Sequence, residues 1–385
     1  DFTMNTIEMM TTDIIRCRIC GWVSNNYQGI CEYAARTCYH KEADADEDTW
    51  KRYLHARVKS GHESVIEHNS MAFMFQVAPE MKNILMELVA YVAKNNNLLR
   101  TTFNTNGNSV IISGNIRMFR DFLKKAAARI ATDKLVYGLA EVWFCYLYSA
   151  FAFLVNDDFI EEEDGTKTNI FTEGLSFSSR PFKWTADHAT GNHPIVVTEK
   201  IMDEVYSENN CKLQIIGHPE VKELESLLLD QWGFDLDDPS RHNAIAEALN
   251  NMGCITYKVT IPRIISQQDT RHRIGAISQQ SQRYVRASNA EFYFPPYIED
   301  PGMTQELSFS YSEAMTSYEV LLNHDLKKEA ARFVLPGGIM TTYVMTKPWY
   351  TLEHYFKERT SPAAQVELRN IALALQQYCI DNAIV

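Results

Sequence analysis

The sequence has fewer basic than acidic side chains, and this deficit limits the partners that its surface can bind. Lysine and arginine together number 37, against 49 aspartate and glutamate residues, so the formal net charge is −12. Nonspecific binding to nucleic acid or anionic membranes relies on extended basic patches, which such a surface does not favour. A site for phosphate groups would therefore require a local concentration of arginines.

Cysteines are also sparse, with eight scattered over 385 residues. Such sparse use in a long chain is typical of reduced thiols and predicts a cytoplasmic location, which is the host cytoplasm if the chain is viral. Cys17 and Cys20 form a lone CxxC pair. Zinc needs two further ligands at motif spacing, and Cys31 and Cys38 do not form a second CxxC, so ordinary thiols are favoured over a metal site.

Long apolar runs and glycine-rich phosphate loops are absent from the sequence. The longest apolar run, residues 142–155, falls short of the roughly 20 residues that span a bilayer. We therefore expect a helix buried in the core or in a subunit interface rather than a membrane segment. Neither a GxxxxGKS/T nor a GxGxxG motif occurs, which excludes the two commonest glycine-based nucleotide loops.

One segment, residues 271–284 (RHRIGAISQQSQRY), concentrates the positive charge that the rest of the chain has little of. Its three planar guanidinium groups suit phosphate oxygens. Arg332 and Arg359 add two more, each at the edge of a predicted helix. A single arginine at a helix end is usually a surface charge. Five of them near amide- and hydroxyl-rich segments favour a nucleotide-phosphate site.

Two side chains in this segment have more than one interpretation. His272 lies between two arginines, so like charge disfavours its protonated form, and we expect a neutral imidazole that acts as a hydrogen-bond partner. Ser281 carries a nucleophilic hydroxyl, but no histidine or aspartate lies near it in sequence to act as a base. Hydrogen bonding to a ligand is therefore favoured over nucleophilic attack, unless a base comes from elsewhere in the fold.

Hydrophobic periodicity predicts a mixed chain of helices and strands. Helices are predicted at 48–59, 81–95, from about 116, 220–232, 241–252, 263–268, 308–323, 326–335 and 349–358. Strands are predicted at 71–77, 109–113, 255–261 and 341–346. The last helix is expected to begin with Ser361 as N-cap and Pro362 at its first position. The polar segment 61–68 (GHESVIEH) is either a capped, solvated loop or part of a site.

These motifs together resemble those of the flavin-dependent thymidylate synthases. The spacing of Arg271, His272 and Arg273, then seven residues, then Ser281 looks like that family's RHRx7S signature. Segments 61–68, 331–336 (ARFVLP) and 352–367 are similar to the family's GHE(S/T)xxEH, ARxVLP and LxHFxxLR…AQxE motifs. The similarity covers about residues 30–118 and 253–385.

The resemblance implies an α+β fold, in which helices flank a twisted, mainly antiparallel sheet. It implies a catalytic domain made of residues 1–118 and 253–385. Residues 119–252 would then be a family-atypical, mostly helical insertion with a loop-rich segment near 157–200. It further implies a homotetramer with active sites between subunits, without nucleic-acid or membrane partners.

The implied reaction is reductive methylation of dUMP at C5 to dTMP, with 5,10-methylenetetrahydrofolate as carbon donor, FAD as hydride carrier and NADPH as reductant. The residues that the resemblance assigns to FAD are His62, Ser64, Glu67, Arg271, His272, Arg273, Gln279 and His354. Those that it assigns to the nucleotide are Gln268, Arg271, Gln279, Ser281, Arg283, Arg332 and Arg359.

Arg359 matches the arginine that activates the uracil in this family. A guanidinium beside N3 and O2 stabilises the negative charge that develops as C5 becomes nucleophilic, so no enzyme thiolate and no metal is required. Four positions depart from the family pattern, Ala276, Gln279, Pro348 and Ala363, and they affect the flavin side more than the nucleotide side. Gln279 stands where many members have glutamate, and Pro348 stands where an asparagine often contacts FAD.

Three alternatives to this reaction stay open. A related flavin-dependent enzyme could transfer hydroxymethyl or another one-carbon unit to the nucleotide. A catalytically silent nucleotide-binding paralogue is the second alternative, motivated by the Gln279 and Pro348 departures. Nucleic-acid binding by the arginine segment is the third, and the acidic balance of the chain disfavours it.

Overall fold

The computed structural model describes residues 15–16, 29–39, 47–77, 79–132, 159–161, 164–169, 200–231 and 239–385, with six single positions between 132 and 159. The described helices are α1 (Ile30–Cys38), α2 (Glu47–Lys59), α3 (Lys82–Asn95), α4 (Ile116–Ile130), α5 (Val221–Gln231), α6 (Arg241–Met252), α7 (Arg263–Asp269), α8 (Pro301–Asn323), α9 (Lys328–Ala331), α10 (Leu352–Arg359) and α11 (Val366–Asp381). The described strands are β1 (Ile15–Arg16), β2 (Ser70–Val77), β3 (Arg100–Phe103), β4 (Ser109–Asn115), β5 (Phe159–Glu161), β6 (Lys167–Asn169), β7 (Asp203–Glu208), β8 (Cys211–Gly217), β9 (Cys254–Pro262), β10 (Ala276–Gln279) and β11 (Met340–Pro348).

The first of two compact units consists of Asp1–Tyr27, Lys51–Thr198 and Pro219–Cys254. Its four-stranded sheet has the order β1-β2-β4-β3, and its neighbouring strands are antiparallel. Asn251 of α6 fixes this helix to the sheet, because its side chain donates to Thr102 Oγ1 at 2.7 Å and its backbone carbonyl accepts from Ser113 Oγ at 2.7 Å.

The predicted apolar run at 142–155 contributes to the core of this first unit. Of its described residues, Trp143, Phe144, Leu147 and Leu154 are helical and fully buried. The Trp143 ring contacts Phe119 edge-on, with centroids 4.8 Å apart. The expectation of a buried helix is thus met at these positions. Within the part of the chain that the structure describes, no helix is long and apolar enough to cross a membrane.

The second unit consists of Gln28–Trp50, Glu199–His218 and Ile255–Val385, and its five-stranded sheet has the order β10-β11-β9-β8-β7. The pairs β10–β11, β8–β9 and β7–β8 are antiparallel. Hydroxyl pairs join β9 to β11, since Thr256 Oγ1 lies 2.7 Å from Thr346 Oγ1 and Thr260 Oγ1 lies 2.9 Å from Thr342 Oγ1. This sheet carries the segment 271–284.

The α+β class and the antiparallel pairing agree with the prediction, but the sheet organisation differs from it. We predicted one twisted sheet, whereas the described residues form sheets of four and five strands and a separate β5–β6 hairpin. Strands β7 and β8 lie inside the region predicted to be mostly helical. The periodicity missed β7 because its sequence, DEVYSE, is mostly polar and exposed, without the alternation of a half-buried strand.

Two helix predictions near the C-terminus are wrong in their bounds. The last helix, α11, begins at Val366, and Ser361 instead accepts a hydrogen bond from the backbone N–H of Ala363 at 3.3 Å. Pro362 is as well suited to the second position of a turn as to the start of a helix, because both need its fixed φ. The predicted helix at 326–335 is the single turn α9 followed by a 3₁₀ turn, Arg332–Val334.

Several sequence expectations fall on residues outside the described ranges. The lone CxxC pair, Cys17 and Cys20, is among them, as is most of the loop-rich segment near 157–200. The five cysteines that the structure describes are free thiols, and four of them are buried.

Candidate functional site

The segment 271–284 is held between a helix end and a strand pair of the second unit. Helix α7 ends at Asp269, and the chain turns through Gly275, whose φ is +143°. Strand β10 then pairs with β11, with Ala276 opposite Thr346. The arginine-rich turn therefore has both ends anchored, which limits the directions in which its side chains point.

Arg359 is the best-anchored arginine of this site. It lies at the end of α10, where its Nε donates a hydrogen bond to Nε2 of His272 at 2.8 Å. One of its terminal nitrogens donates to the backbone carbonyl of Gln268 at 2.7 Å. Two hydrogen bonds from one planar group fix both its position and its plane. The structure thus brings together three of the residues that the sequence analysis singled out.

His272 is uncharged at neutral pH, in agreement with the sequence prediction. Its pKa is lowered to about 4, chiefly by burial and then by the positive charges of Lys347 and Arg359, while Asp269 acts in the opposite direction. We had attributed the effect to the flanking arginines, and that cause is wrong. A neutral imidazole has a free ring nitrogen, which is what accepting the Arg359 hydrogen bond requires.

The positive charges of the two arginines beside His272 are not balanced by acidic partners within the described residues. Arg271 and Arg273 are exposed, and neither has an ion pair or a side-chain hydrogen bond within the residues that the structure describes. His354 of α10 lies next to His272, with the two ring centroids 5.9 Å apart. Two free guanidinium groups next to two imidazole rings suit an anionic, aromatic ligand. These residues therefore fit the flavin dinucleotide that the sequence analysis assigned to them.

Gln279 and Ser281 follow the turn in the chain, and hydrogen bonds hold both side chains. The Gln279 side-chain amide donates to Ser266 Oγ at 2.8 Å and to Thr341 Oγ1 at 3.3 Å. Ser281 Oγ accepts from the backbone N–H groups of Arg283 at 3.2 Å and Tyr284 at 3.4 Å. The Ser281 hydroxyl therefore stabilises the turn that presents Arg283.

Arg283 and Arg332 converge on one residue of α9. Arg283 forms an ion pair with Glu329 at 3.2 Å, and Arg332 Nε donates to the Glu329 backbone carbonyl at 3.2 Å. Arg263 lies close enough to Arg332 for the two charges to interact, and burial together with that charge lowers the pKa of Arg263. Sequence reasoning missed Arg263 and Glu329, since neither belongs to a motif. The result is a local concentration of arginines on an acidic protein.

The segment 61–68 lies in the first unit and forms a short 3₁₀ helix, Glu63–His68, that leads into β2. Glu67 forms an ion pair with Arg117 of α4. Burial raises the pKa of Glu67 more than the Arg117 guanidinium lowers it. His62 is half-buried and Ser64 is exposed. Of the two interpretations, the solvated loop is wrong for this segment, whereas a role in binding stays a prediction.

Buried His68 predicts a loss of stability in acid. Burial lowers its pKa to about 3. Between that pH and about 6.5, the unfolded chain therefore binds a proton at His68 that the folded chain does not. The free energy of unfolding should therefore fall as pH falls, by up to about 1.4 kcal/mol per pH unit. Urea titrations at pH 7, 6 and 5 measure this slope. The His68→Gln variant, which cannot titrate, should have a smaller slope, and an equal slope would contradict the assignment.

The comparison with known proteins agrees with these motifs. Residues 23–81 and 241–383, just over half of the chain, match the sequence model of the family described as thymidylate synthase complementing protein. The flavin-dependent thymidylate synthase of Aquifex aeolicus is 30% identical over 148 residues, which are 34% of this chain and 47% of that protein. The enzyme of the same name from Nitratidesulfovibrio vulgaris is 34% identical over 128 residues, which are 31% of this chain and 52% of that protein.

A third relative, the flavin-dependent thymidylate synthase of Sulfurisphaera tokodaii, is 36% identical over 115 residues, which are 29% of this chain and 44% of that protein. The chain thus spans about half the length of the curated relatives that it matches. The family match includes the segment 61–68, the arginine-rich turn and Arg359. Together with the ordered motifs and the geometry of the turn, it shows that this chain belongs to the thymidylate synthase complementing protein family.

Proposed function

We propose that this protein is a flavin-dependent thymidylate synthase that methylates dUMP at C5, with 5,10-methylenetetrahydrofolate as carbon donor and NADPH as reductant. The observation that carries the proposal is the fixed guanidinium of Arg359, held by His272 and by the Gln268 carbonyl. In this proposal, Arg359 is oriented before the nucleotide binds. It stabilises the negative charge on the uracil ring as C5 becomes nucleophilic.

The remaining site residues have binding roles in the proposal. Arg283 and Arg332 bind the nucleotide phosphate, while Gln268, Gln279 and Ser281 donate or accept hydrogen bonds along the nucleotide. Arg271, His272, Arg273 and His354 hold FAD, and the assignment of His62, Ser64 and Glu67 to FAD stays a prediction from the family resemblance. When bound, FAD would pass on the hydride from NADPH that reduces the transferred carbon unit to a methyl group. Glu329 is a competing anion for Arg283, so phosphate binding would have to displace it.

Domain organisation and assembly belong to the same proposal. Residues 1–118 and 253–385 would form the catalytic fold of the family and residues 119–252 an insertion. The interruption of the family match between residues 81 and 241 supports an insertion. The resemblance implies a homotetramer, and exposed apolar side chains on α8 support an interface between subunits, since Met303, Phe309 and Val320 are 57%, 60% and 48% exposed. Light scattering of the purified protein would measure the mass of the assembly.

Product analysis tests the proposed reaction. The purified chain would be incubated with dUMP, 5,10-methylenetetrahydrofolate and NADPH, and the nucleotide product identified by mass spectrometry. We expect dTMP, and a yellow protein whose flavin absorbance is bleached by NADPH. A hydroxymethylated nucleotide would instead identify a related one-carbon transferase. A colourless protein that takes up no FAD would contradict the proposal and indicate a silent paralogue.

Ser281→Ala is expected to weaken nucleotide binding without abolishing turnover. The hydroxyl closes the turn at Arg283 and, in the proposal, bonds the nucleotide, but it does not form a covalent intermediate. Loss of one such hydrogen bond should raise the KM for dUMP roughly tenfold, with kcat nearly unchanged. Steady-state kinetics measure both constants, with Ser60→Ala as control because Ser60 makes a similar local hydrogen bond in the first unit. Complete loss of turnover with intact dUMP binding would assign Ser281 a nucleophilic role.

A further inference from the structure

A layer of buried polar side chains lies beneath the imidazole of His272. Its members come from β9, α7, β11 and α10, and each is at most 1% exposed: Tyr257, Asp269, Tyr343, Lys347 and Tyr355. Burying polar groups costs free energy unless hydrogen bonds or opposite charges compensate. The proposed function uses none of these five residues, so their burial requires a separate physical account.

Lys347 is the most unusual member of this layer. Its ammonium group lies 4.5 Å from the centre of the Tyr355 ring, and none of the described residues accepts a hydrogen bond from it. The Tyr355 ring also meets the His272 ring edge-on, with centroids 4.9 Å apart. Lys347 therefore contacts the same aromatic ring that supports His272, although the two residues are separated by 75 positions in the sequence.

Asp269 is the negative charge of the layer. It ends α7, three residues before His272, and one of its carboxyl oxygens accepts a hydrogen bond from the Tyr343 hydroxyl at 2.6 Å. Its charge raises the pKa of Lys347, against the lowering that burial and Arg359 produce. Asp269 thus favours the charged ammonium in a place where burial alone would favour the neutral amine.

Both charges act on His272. The groups that face its imidazole are Lys347 of β11, Arg359 and His354 of α10, and Asp269 of α7. Lys347, Arg359 and His354 oppose protonation of the imidazole, and Asp269 favours it. A protonated imidazole would have no lone pair at Nε2 and would repel Arg359, so the hydrogen bond that fixes Arg359 depends on this balance.

We propose that Lys347 and Asp269 are positioning residues whose buried, opposite charges act on His272: Lys347 keeps the imidazole able to accept the hydrogen bond from Arg359, and Asp269 limits that effect. The pair contacts neither the nucleotide nor the flavin in the proposed site. Its importance for catalysis rests on the proposed function of Arg359, whereas its effect on His272 does not.

The titration of His272 tests this role independently of activity. In the full-length protein, the histidines would be labelled with ¹⁵N and ¹³C, and the His272 signals identified by their absence from a His272→Gln variant. Lys347→Met should raise the His272 midpoint by about one pH unit, a tenfold increase in proton affinity. Asp269→Asn should lower it, because the removed charge favoured protonation. Shifts of opposite sign are not expected from a general loosening of the core.

A matched control is available on the neighbouring strand. Lys258 of β9 also lies over a tyrosine ring, 5.6 Å from the centre of Tyr33, and it donates to the Tyr33 hydroxyl at 3.1 Å. Lys258→Met removes the same kind of lysine–tyrosine contact from a position that does not face His272. It should leave the His272 titration unchanged.

The acidic limb of the pH–kcat profile supplies a second measurement. In Lys347→Met it should move to higher pH, because protonated His272 releases Arg359. Unchanged His272 midpoints in both Lys347→Met and Asp269→Asn would overturn the proposal. Should Lys347→Met not fold, Asp269→Asn decides alone, since its amide oxygen still accepts the Tyr343 hydrogen bond. Shifted midpoints in a protein that makes no dTMP would support the charge pair and overturn the proposed function instead.

Discussion

Arg359→Ala is expected to lower the rate of dTMP formation by at least about 10²- to 10³-fold, while the protein still binds FAD. Removing one preorganised donor from a developing negative charge typically costs this much in other enzymes. Here the same substitution also removes the hydrogen bonds to His272 and to the Gln268 carbonyl. Single-turnover assays of dTMP formation measure the chemical step, and flavin absorbance measures retention of FAD.

Arg359→Lys should be nearly as inactive as the alanine variant. Lysine keeps the charge, but it cannot donate in one plane to His272, to the Gln268 carbonyl and to a uracil ring. Arg369→Ala is the matched control, because Arg369 of α11 donates to the Pro362 carbonyl at 3.0 Å and has no place in the proposed site. If Arg359→Ala turned over at the rate of the Arg369→Ala control, Arg359 would have no catalytic role.

Gly275→Ala is expected to destabilise the fold by about 3 kcal/mol, the size associated with a strained backbone together with a steric overlap. The φ of Gly275 is +143°, in a region that other residues rarely adopt. A Cβ at this position would lie 2.8 Å from the Thr346 carbonyl oxygen on β11. Because the obstacle is backbone, it cannot move aside without separating β10 from β11. Chemical denaturation measures the loss.

The control for this substitution is Gly107→Ala. Gly107 also has a positive φ, of +70°, but a Cβ there would meet no atom within 4 Å. Gly107→Ala should lower the free energy of unfolding by only about 1 kcal/mol, which is the cost of the left-handed conformation alone. Equal losses in the two variants would show that the close approach to Thr346 contributes nothing. The Gly275 variant should also bind FAD more weakly, because Arg271 and Arg273 lie on the turn that Gly275 closes.

Much of the local structure follows from the order of residue types. Strand β9 could be predicted because apolar and polar residues alternate in it, and it ends at Pro262 as expected. The acidic strand β7 could not, since the pairing that stabilises it comes from β8 and not from its own composition. Likewise, Ser361 and Pro362 satisfy the local rules for a helix start, but the chain uses them in a turn.

The candidate site likewise has features that the sequence predicts and features that only the fold produces. The residue types and spacing of the arginine-rich turn, with Arg332 and Arg359, already indicate a phosphate-binding site and its family. The hydrogen bond between Arg359 and His272 joins residues 87 positions apart, so no local pattern contains it. The neutrality of His272 was predicted for a reason that the tertiary structure replaces, since burial and Lys347 determine it rather than the neighbouring arginines.

The sequence by itself determined which chemical groups are available: guanidinium forks on an acidic chain, a glycine at the turn, and motifs in the order typical of one family. Only the tertiary structure decided which of those groups meet. It places Lys347 and Asp269, two charges that belong to no motif, in the core beneath His272. The physical reason is that charge and hydrogen bonding act over a few ångströms, and folding brings to that distance residues that are far apart in the chain.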